Sequence, residues 1–222
     1  MKPLTAAVLP LALCGCVMWL PGGEPIDASQ APPNLLTHCM AVVTPLFQVA
    51  DFAAATVIAP GIAIVPEHAA MPASFDSFPE RDPSMPDLLY YRTDKGSPIY
   101  AGTPEDGDAI TLYGASFCQD DRIAHGVVAH RKVELTAHGA SVWGMMILAD
   151  AGHGFSGGPV FNSRGEWIGV TTDIITWTSG PMAGKTGYFA YWAGDLLTHM
   201  PPKLRGVTQA ELLALPHWEA KR

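Results

Sequence analysis

The 222-residue sequence contains few charged side chains, and basic residues are the minority among them. Asp, Glu, Lys and Arg make up 15% of the chain, with 21 acidic and 13 basic residues and a formal net charge of −8. Nucleic-acid binding requires a basic patch, because phosphate contacts supply most of the affinity. The charge balance therefore argues against a nucleic-acid partner. Hydrophobic residues, at 48%, are sufficient for a substantial core.

The sequence also lacks the cysteine and histidine spacings that are typical of metal sites. Neither CxxC nor HExxH occurs, and the eight histidines are scattered without ligand spacing. We therefore expect no structural or catalytic metal and no cofactor. Two of the four cysteines, Cys39 and Cys118, either form a disulfide in an oxidising compartment or remain as two free buried thiols.

The amino-terminal segment has the pattern of an export signal. A positive start at residues 1–2 precedes an apolar stretch at residues 3–13, which predicts a signal peptide over residues 1–16. Residues 13–16 resemble a bacterial lipobox, which implies lipidation of Cys16 and attachment to a membrane. Ordinary export and an uncleaved anchor are the alternatives. All three predict a bacterial protein outside the cytoplasm, either periplasmic or anchored to the membrane.

Glycine and proline are abundant, with 22 and 20 residues, which is typical of many short strands joined by turns. Residues 17–38 are rich in proline and small residues, and they predict a tether without a core of its own. Alternating segments at residues 122–130 and 132–137 predict two strands, and residues 186–192 predict the last strand. The tail, residues 201–222, contains a capping-box pattern at Thr208 that predicts a short helix.

The most informative stretch is residues 151–161, where a serine lies among glycines. Four glycines occur within seven residues, and glycine carries the largest backbone entropy cost on folding. Such a run indicates a main chain held in unusual geometry. Two backbone N–H groups aimed at one point beside an exposed hydroxyl form an oxyanion hole next to a nucleophile.

The segment Gly154-Phe155-Ser156-Gly157-Gly158-Pro159 resembles the G-x-S-G-G-P signature of trypsin-like serine proteases, and residues 160–170 resemble their bacterial HtrA-like branch. The resemblance implies an all-β fold of two antiparallel six-stranded Greek-key barrels with a short C-terminal helix. The barrels would span residues 39–115 and 116–200, and a strand at 106–114 would close the first. No PDZ module is expected after the second.

The same resemblance implies a serine endopeptidase that hydrolyses polypeptide substrates. Ser156 would be the nucleophile, and the backbone N–H groups of Gly154 and Ser156 would bind the oxyanion. The family often has Asn or Asp in the place of Phe155, so this position departs from the pattern.

Residues 55–68 predict a β-hairpin followed directly by His68. Two β-branched runs flank a Pro-Gly turn, which is typical of paired strands. This order resembles the family's strand pair, turn and catalytic histidine, and it implies that His68 is the general base. Pro66 and Glu67 replace the small or polar pair that is usual before the histidine. His38 is a rival, although we predict no strand to position it.

Asp87 precedes an apolar run that resembles the family's Asp-Leu-Ala-Val-Leu pattern. The match implies that Asp87 orients the histidine and stabilises its charged form. Asp76 and Asp82 are alternatives, but neither leads into an apolar run.

The substrate pocket is less clearly marked than the predicted triad. Asp150 lies six residues before Ser156, where trypsin-like enzymes place the acid that selects Lys or Arg; otherwise it is a plain loop residue. Thr171, Thr172 and Asp173 are expected near the pocket wall, because the strand there normally pairs with the substrate backbone.

Two other function classes fit parts of the sequence. Residues 154–158 also satisfy G-x-S-x-G, the nucleophile elbow of α/β-hydrolase esterases, which requires a helix after the serine. The departures at Glu67 and Phe155 suggest a catalytically inactive binding protein built on a protease fold.

Overall fold

The computed structural model describes residues 22–43, 48–69, 80–93, 100–116, 120–137, 140–176, 183 and 186–205. These residues are mainly β-strand, which confirms the predicted all-β class. The predicted signal peptide with Cys16, the helix from Thr208, and Cys118 lie outside the described residues, as does the side chain of Cys39. None of the helices within the described ranges is long and apolar enough to cross a membrane.

The helical elements are short: a 3₁₀ turn at Glu67–Ala69, α1 at Ala193–Thr198 and α2 at Pro202–Arg205. The strands, numbered along the chain, are β1 (Glu24–Ile26), β2 (Leu35–Val43), β3 (Gln48–Ala59), β4 (Ile62–Pro66), β5 (Leu88–Arg92), β6 (Ala109–Ser116), β7 (Asp120–Ala137), β8 (Ala140–Ala149), β9 (Pro159–Asn162), β10 (Trp167–Thr176) and β11 (Thr186–Trp192).

The smaller sheet is antiparallel, and its described strands run in the order β2-β3-β4-β5. It contains the predicted hairpin, in which Gly61 takes a φ of 76° at the turn between β3 and β4. Residues 62–66 of β4 are all buried, because both faces of the sheet are covered. Ile64 and Tyr90 point to one face, while Val65 and Tyr91 point to the other.

The larger sheet pairs in the order β1-β7-β6-β9-β10-β11-β8, and β7 also pairs with β8. Six of its strands therefore form a closed ring of pairings, with β1 added outside on β7. The strand predicted to close the first barrel, β6, pairs instead with β7 and β9. The predicted barrel boundary at residue 115 is wrong for this strand, because Ile110 and Leu112 pack into the core of the larger ring.

Strand β7 replaces the two strands predicted at 122–130 and 132–137. It runs for 18 residues and pairs with β8 along most of its length. The register shifts between Val128 and His130, and again between His130 and Val133. Such irregularities bend a strand without ending it, so the polar residues near position 130 mark a bend and not a turn.

The predicted tether is bound to the larger sheet over part of its length. Gly23 N–H donates to the carbonyl of Asp150 at 2.9 Å, and Arg122 Nε donates to the carbonyl of Gly22 at 2.8 Å. Asn34 is buried, and its carbonyl accepts from Val57 N–H at 2.8 Å. The prediction that residues 17–38 serve only as a tether is therefore wrong for Gly22, Gly23 and Asn34, which are bound to the folded part of the chain. Strand β2 also includes His38, so the prediction that no strand positions this histidine is wrong; its side chain lies outside the described part of the structure.

Two large apolar clusters form most of the core of the described residues. One joins the smaller sheet to the larger, and it contains Ile64 and Tyr90 with Trp167, Phe189 and Leu196. The hydroxyl of Tyr90 donates to the carbonyl of Leu196 at 3.2 Å across the same junction. The second cluster fills the larger ring and includes Leu112, Val128, Met145, Ile147, Phe155 and Ile168. The predicted site residues come from both sheets, because His68 follows β4 and Asp87 precedes β5, whereas Ser156 precedes β9.

Candidate active site

The loop that carries Ser156 is fixed by the glycine that follows it. Gly157 has a φ of 87°, and a Cβ there would lie 1.8 Å from the carbonyl oxygen of Ala54. Gly157 N–H donates to the Thr171 carbonyl at 2.7 Å, while its own carbonyl accepts from Thr56 Oγ1 at 2.7 Å. Because a side chain would collide with β3 and strain the backbone, only glycine fits. These contacts hold Ser156 between β3 and β10.

The hydroxyl of Ser156 donates to the carbonyl oxygen of Thr172 at 2.9 Å. Among the described residues, no backbone carbonyl accepts from the N–H of Gly154 or of Ser156. Gly154 has a φ of 98°, and its carbonyl is held by Ala115 N–H at 2.9 Å. The loop thus presents a hydroxyl and two backbone donors from neighbouring residues, which is the donor set of an oxyanion hole.

Phe155 departs from the family pattern because its side chain belongs to the core. The phenyl ring of Phe155 is fully buried in the apolar cluster of the larger sheet. Gly114 makes room for it, since a Cβ there would lie 2.8 Å from Phe155 Cγ. The Phe155 carbonyl accepts from Gly158 N–H at 2.9 Å and from the hydroxyl of Thr171. Core packing of the phenyl ring and two hydrogen bonds to the Phe155 carbonyl therefore hold the serine loop in place.

His68 and Asp87 are in direct contact. His68 Nδ1 lies 2.6 Å from Asp87 Oδ2, and because a carboxylate only accepts, Nδ1 carries the proton. The second carboxylate oxygen, Oδ1, accepts from His68 backbone N–H at 3.0 Å. The Asp87 side chain is only 3% exposed, whereas that of His68 is 43% exposed. A buried acid therefore fixes the tautomer of a partly exposed imidazole.

The backbone at Asp87 is unusual. Asp87 is the residue other than glycine with a positive φ, 63°, in the described part of the chain. Its carbonyl accepts from Glu67 N–H at 2.9 Å, and the preceding Pro86 carbonyl accepts from Tyr191 Oη at 2.7 Å. Burial, together with Asp173 and Asp87, raises the pKa of Tyr191, which keeps its hydroxyl a neutral donor. Left-handed backbone at a non-glycine residue is concentrated at functional sites.

The unusual pair before His68 has a structural explanation. Pro66 ends β4 and lies against the position that a Gly157 side chain would occupy, with its Cδ 2.8 Å from that point. Glu67 forms a two-pronged ion pair with Arg81, at 2.6 and 2.7 Å. Both partners are exposed, so the pair contributes little to stability.

The alternative acids are placed elsewhere or lie outside the described residues. Asp82 Oδ1 accepts from the backbone N–H and hydroxyl of Ser84 at 2.8 and 2.6 Å, and Asp82 Oδ2 lies 3.5 Å from His199 Nδ1. Asp82 therefore interacts with a histidine other than His68. Asp76 falls outside the described residues.

Asp173 is the site residue whose position the sequence did not predict closely. One carboxylate oxygen of Asp173, one of Asp87 and a ring nitrogen of His68 all lie within 4.8 Å of one another. The register of β10 against β11 shifts between Thr171 and Ile174, in the segment that contains Asp173. Its position directly after Thr172, on the strand expected at the pocket wall, was the only sequence signal.

The placement of Thr171, Thr172 and Asp150 at a substrate pocket stays a prediction. Thr171 and Thr172 are buried at 1% exposure on β10, next to the serine loop. Asp150 is exposed after β8, and it lies near enough to Tyr188 of β11 to affect that phenol. Burial first, and then the charge of Asp150, raises the pKa of Tyr188 to about 12.

Comparison with known proteins places this architecture in a recognised fold. No protein-family model matches the sequence, and no characterised protein matches it in sequence. Among solved structures, the chain is similar to the apo MamO protease domain from Magnetospirillum magneticum, with TM-score 0.55 and 18% identity over 77% of this chain and 97% of that one. It is also similar to the active form of the Rv3671c protease from M. tuberculosis, with TM-score 0.56 and 18% identity over 80% and 86% of the two chains.

The HtrA-type protease AlgW, solved with a decapeptide, matches with TM-score 0.52 and 17% identity over 82% of this chain and 66% of that one. The fold of this chain is therefore that of trypsin-like, HtrA-type serine proteases. This excludes the α/β-hydrolase alternative, because strand β9 and not a helix follows Ser156, and the strands of both sheets pair antiparallel.

Proposed function

We propose that this protein is a serine endopeptidase in which His68, Asp87 and Ser156 form the catalytic triad. The observation that carries the proposal is the 2.6 Å contact between His68 Nδ1 and the buried Asp87 carboxylate. Ser156 bonds to Thr172, and the next residue, Asp173, lies within 4.8 Å of this pair. A buried carboxylate that orients an exposed imidazole beside a serine is the arrangement of nucleophilic acyl transfer.

The proposed reaction begins when the Ser156 hydroxyl turns from the Thr172 carbonyl to His68 Nε2. His68 takes the proton as Ser156 Oγ forms a bond with the peptide carbonyl carbon. The N–H groups of Gly154 and Ser156 stabilise the resulting oxyanion, and one such donor is typically worth about 3–4 kcal/mol. His68 then gives the proton to the leaving amine, and the same steps with water release the acyl group from Ser156.

The bond between Ser156 and Thr172 suggests how substrate binding assists this rotation. The Thr172 carbonyl lies at the register shift of β10, on the strand that pairs with the substrate backbone in the proposed mode. A substrate N–H that donates to this carbonyl would replace the serine hydroxyl. The released hydroxyl would then be available to His68.

Asp150 supports a preference for basic side chains at the cleaved bond. The charge of Asp150 acts on Tyr188 of β11, which belongs to the second apolar cluster. An Asp150→Asn variant should reduce kcat/KM for an arginine substrate up to about fivefold and leave an alanine substrate nearly unchanged, since an exposed charge pair is typically worth about 0.2–1 kcal/mol. Equal effects on both substrates would contradict this preference.

A second candidate is a catalytically inactive binding protein on the same fold. The observation that favours it is the hydrogen bond from the Ser156 hydroxyl to the Thr172 carbonyl at 2.9 Å, which must break before the hydroxyl can act as a nucleophile. The site would then hold a polypeptide without cleaving it.

Labelling with a fluorophosphonate probe separates the two candidates. The protease should be labelled at Ser156, and the labelling should disappear in Ser156→Ala and persist in Ser163→Ala, a matched change in an exposed turn. Intact, folded protein that fails to react would overturn the protease proposal and leave the binding protein.

We also propose that the chain is exported and lipidated at Cys16. The signal pattern and the lipobox-like residues 13–16 support this. Membrane fractionation of the parent and Cys16→Ala proteins tests it, with the variant expected in the soluble fraction. Equal membrane association of both would contradict lipidation.

A further inference from the structure

The cleft contains a third acidic group that the proposed reaction does not use. Asp173 contributes a carboxylate oxygen that lies within 4.8 Å of both a His68 ring nitrogen and an Asp87 carboxylate oxygen. Two carboxylates and an imidazole converge there from three separate elements: the start of β5, the 3₁₀ turn after β4, and β10. Asp173 is partly exposed, so the group opens to solvent on that side.

The chemistry of these three donors suits a divalent transition metal. Zinc binds imidazole nitrogen and carboxylate oxygen at about 2.0–2.2 Å, so ligand atoms around a tetrahedral ion are about 3.3 Å apart. The three candidate ligand atoms lie within 4.8 Å of one another, so an ion would have to draw these side chains closer together. Two carboxylates balance the charge of a divalent ion, and the imidazole favours zinc over calcium or magnesium. The fourth position remains open to water.

The surroundings hold two of the donors in place before any ion binds. Asp87 is fixed by His68 N–H at 3.0 Å and is nearly excluded from solvent. The nearby Tyr191 hydroxyl is occupied by the Pro86 carbonyl at 2.7 Å. The cation Arg81 is paired with Glu67 at 2.6 Å. Two carboxylates close together in a partly buried cleft repel each other, and a bound cation would remove this repulsion.

We propose that His68, Asp87 and Asp173 form a binding site for a divalent transition metal such as Zn²⁺, and that occupancy inhibits the enzyme. The inhibition rests on the proposed protease function, whereas the binding does not. An ion on Nε2 takes the position of the serine proton. An ion on Nδ1 displaces the proton that Nδ1 donates to Asp87 and withdraws electron density from the ring. Either way, His68 no longer acts as the general base.

Isothermal titration of Zn²⁺ into untagged protein tests the binding without relying on activity. The Ser156→Ala chain should bind one Zn²⁺, because Ser156 supplies no ligand. In this background, Asp173→Asn should weaken binding at least about tenfold, as expected when a ligand loses its charge, and His68→Gln should abolish it. The matched control is His199→Gln, which alters the other histidine–aspartate contact, at 3.5 Å, and should leave binding unchanged.

Binding that persists in Asp173→Asn and His68→Gln, or parent protein that does not bind Zn²⁺, would overturn the site. The inhibition has its own readout, because Zn²⁺ should slow fluorophosphonate labelling of the parent chain more than that of Asp173→Asn, and EDTA should reverse the effect. Zinc binding with the predicted variant pattern in protein that never reacts with the probe would support the site and refute the protease function. Probe reaction that Zn²⁺ slows equally in both chains would refute the inhibition.

Discussion

Replacing Asp87 with Asn tests whether this residue orients His68. The structure predicts a large loss of activity, because Asn cannot make both hydrogen bonds that Asp87 makes to His68. The carboxylate accepts two hydrogen bonds from one residue, His68 N–H at 3.0 Å and His68 Nδ1 at 2.6 Å. An amide has one acceptor and one donor end. If its oxygen faces the backbone N–H, its NH₂ faces Nδ1 and forces the proton onto Nε2. If it is reversed, the NH₂ meets the backbone N–H, and two donors face each other.

The backbone does not confound this comparison, because Asn tolerates left-handed backbone as well as Asp does and the φ of 63° is retained. The wrong tautomer removes the lone pair that must accept the serine proton. In trypsin-like enzymes the corresponding change lowers kcat by about 10⁴-fold, or about 5 kcal/mol in the barrier. We expect a loss of this order for Asp87→Asn.

The assay is kcat/KM for a chromogenic peptide, together with the rate of fluorophosphonate labelling and the circular dichroism spectrum. Asp82→Asn is the matched control, because Asp82 lies on the same segment as Asp87 but interacts with His199. The activity of the Asp82→Asn protein should change by less than about threefold. A folded Asp87→Asn protein that keeps more than a tenth of the parent activity would refute the orienting role of Asp87.

Further predictions follow from the serine loop and its surroundings. Gly157→Ala should be destabilised much more than Gly165→Ala in urea unfolding, since both positions have positive φ but only Gly157 would place its Cβ against backbone, 1.8 Å from the Ala54 oxygen; equal losses would contradict the steric argument. Phe155→Ala should cost about 3–5 kcal/mol of unfolding free energy, because a fully buried ring is removed, whereas a loss below about 1 kcal/mol would show that the ring is not part of the core. Burial lowers the pKa of His153, so the folded state binds this proton less readily than the unfolded state. Stability should therefore fall as the pH drops through about 6.5, and His153→Gln should reduce the difference between urea midpoints at pH 7.5 and 5.5; an unchanged difference would contradict it.

Local features of the fold were predictable because they depend on neighbouring residues. The hairpin before His68 and the last strand, Thr186–Trp192, have apolar patterns and turns that identify them without knowledge of their partners. The contact between His68 and Asp87 was suggested by family patterns at both residues. A turn glycine or a strand-start aspartate leaves a signal within a few residues of itself.

The pairing partner of a strand is not marked by any such local signal in the sequence. Strand β6 alternates in a way that suits either sheet, and only its long-range pairing with β9 decides that Ile110 faces the larger core. Likewise, the approach of Asp173 to His68 and Asp87 brings distant segments together, and no local pattern marks it. In the sequence, Phe155 stands out only as a departure from the motif. The space for its ring is provided by Gly114, which lies 41 positions earlier in the chain. These features depend on contacts between distant segments, which one sequence does not display.

Three variants together separate catalysis from metal binding at this cleft, because each removes a different combination of groups. Ser156→Ala removes the proposed nucleophile and leaves all three proposed metal ligands. Asp173→Asn removes a metal ligand and none of the triad. Asp87→Asn alters both sets, since its carboxylate belongs to the His68 contact at 2.6 Å and to the cluster within 4.8 Å. If the two functions share His68 as we propose, Asp87→Asn should lose probe labelling and weaken zinc binding in the same protein, whereas Ser156→Ala should separate them. Zinc binding that is unaffected by Asp87→Asn would mean that the ion does not bind at the His68–Asp87 pair.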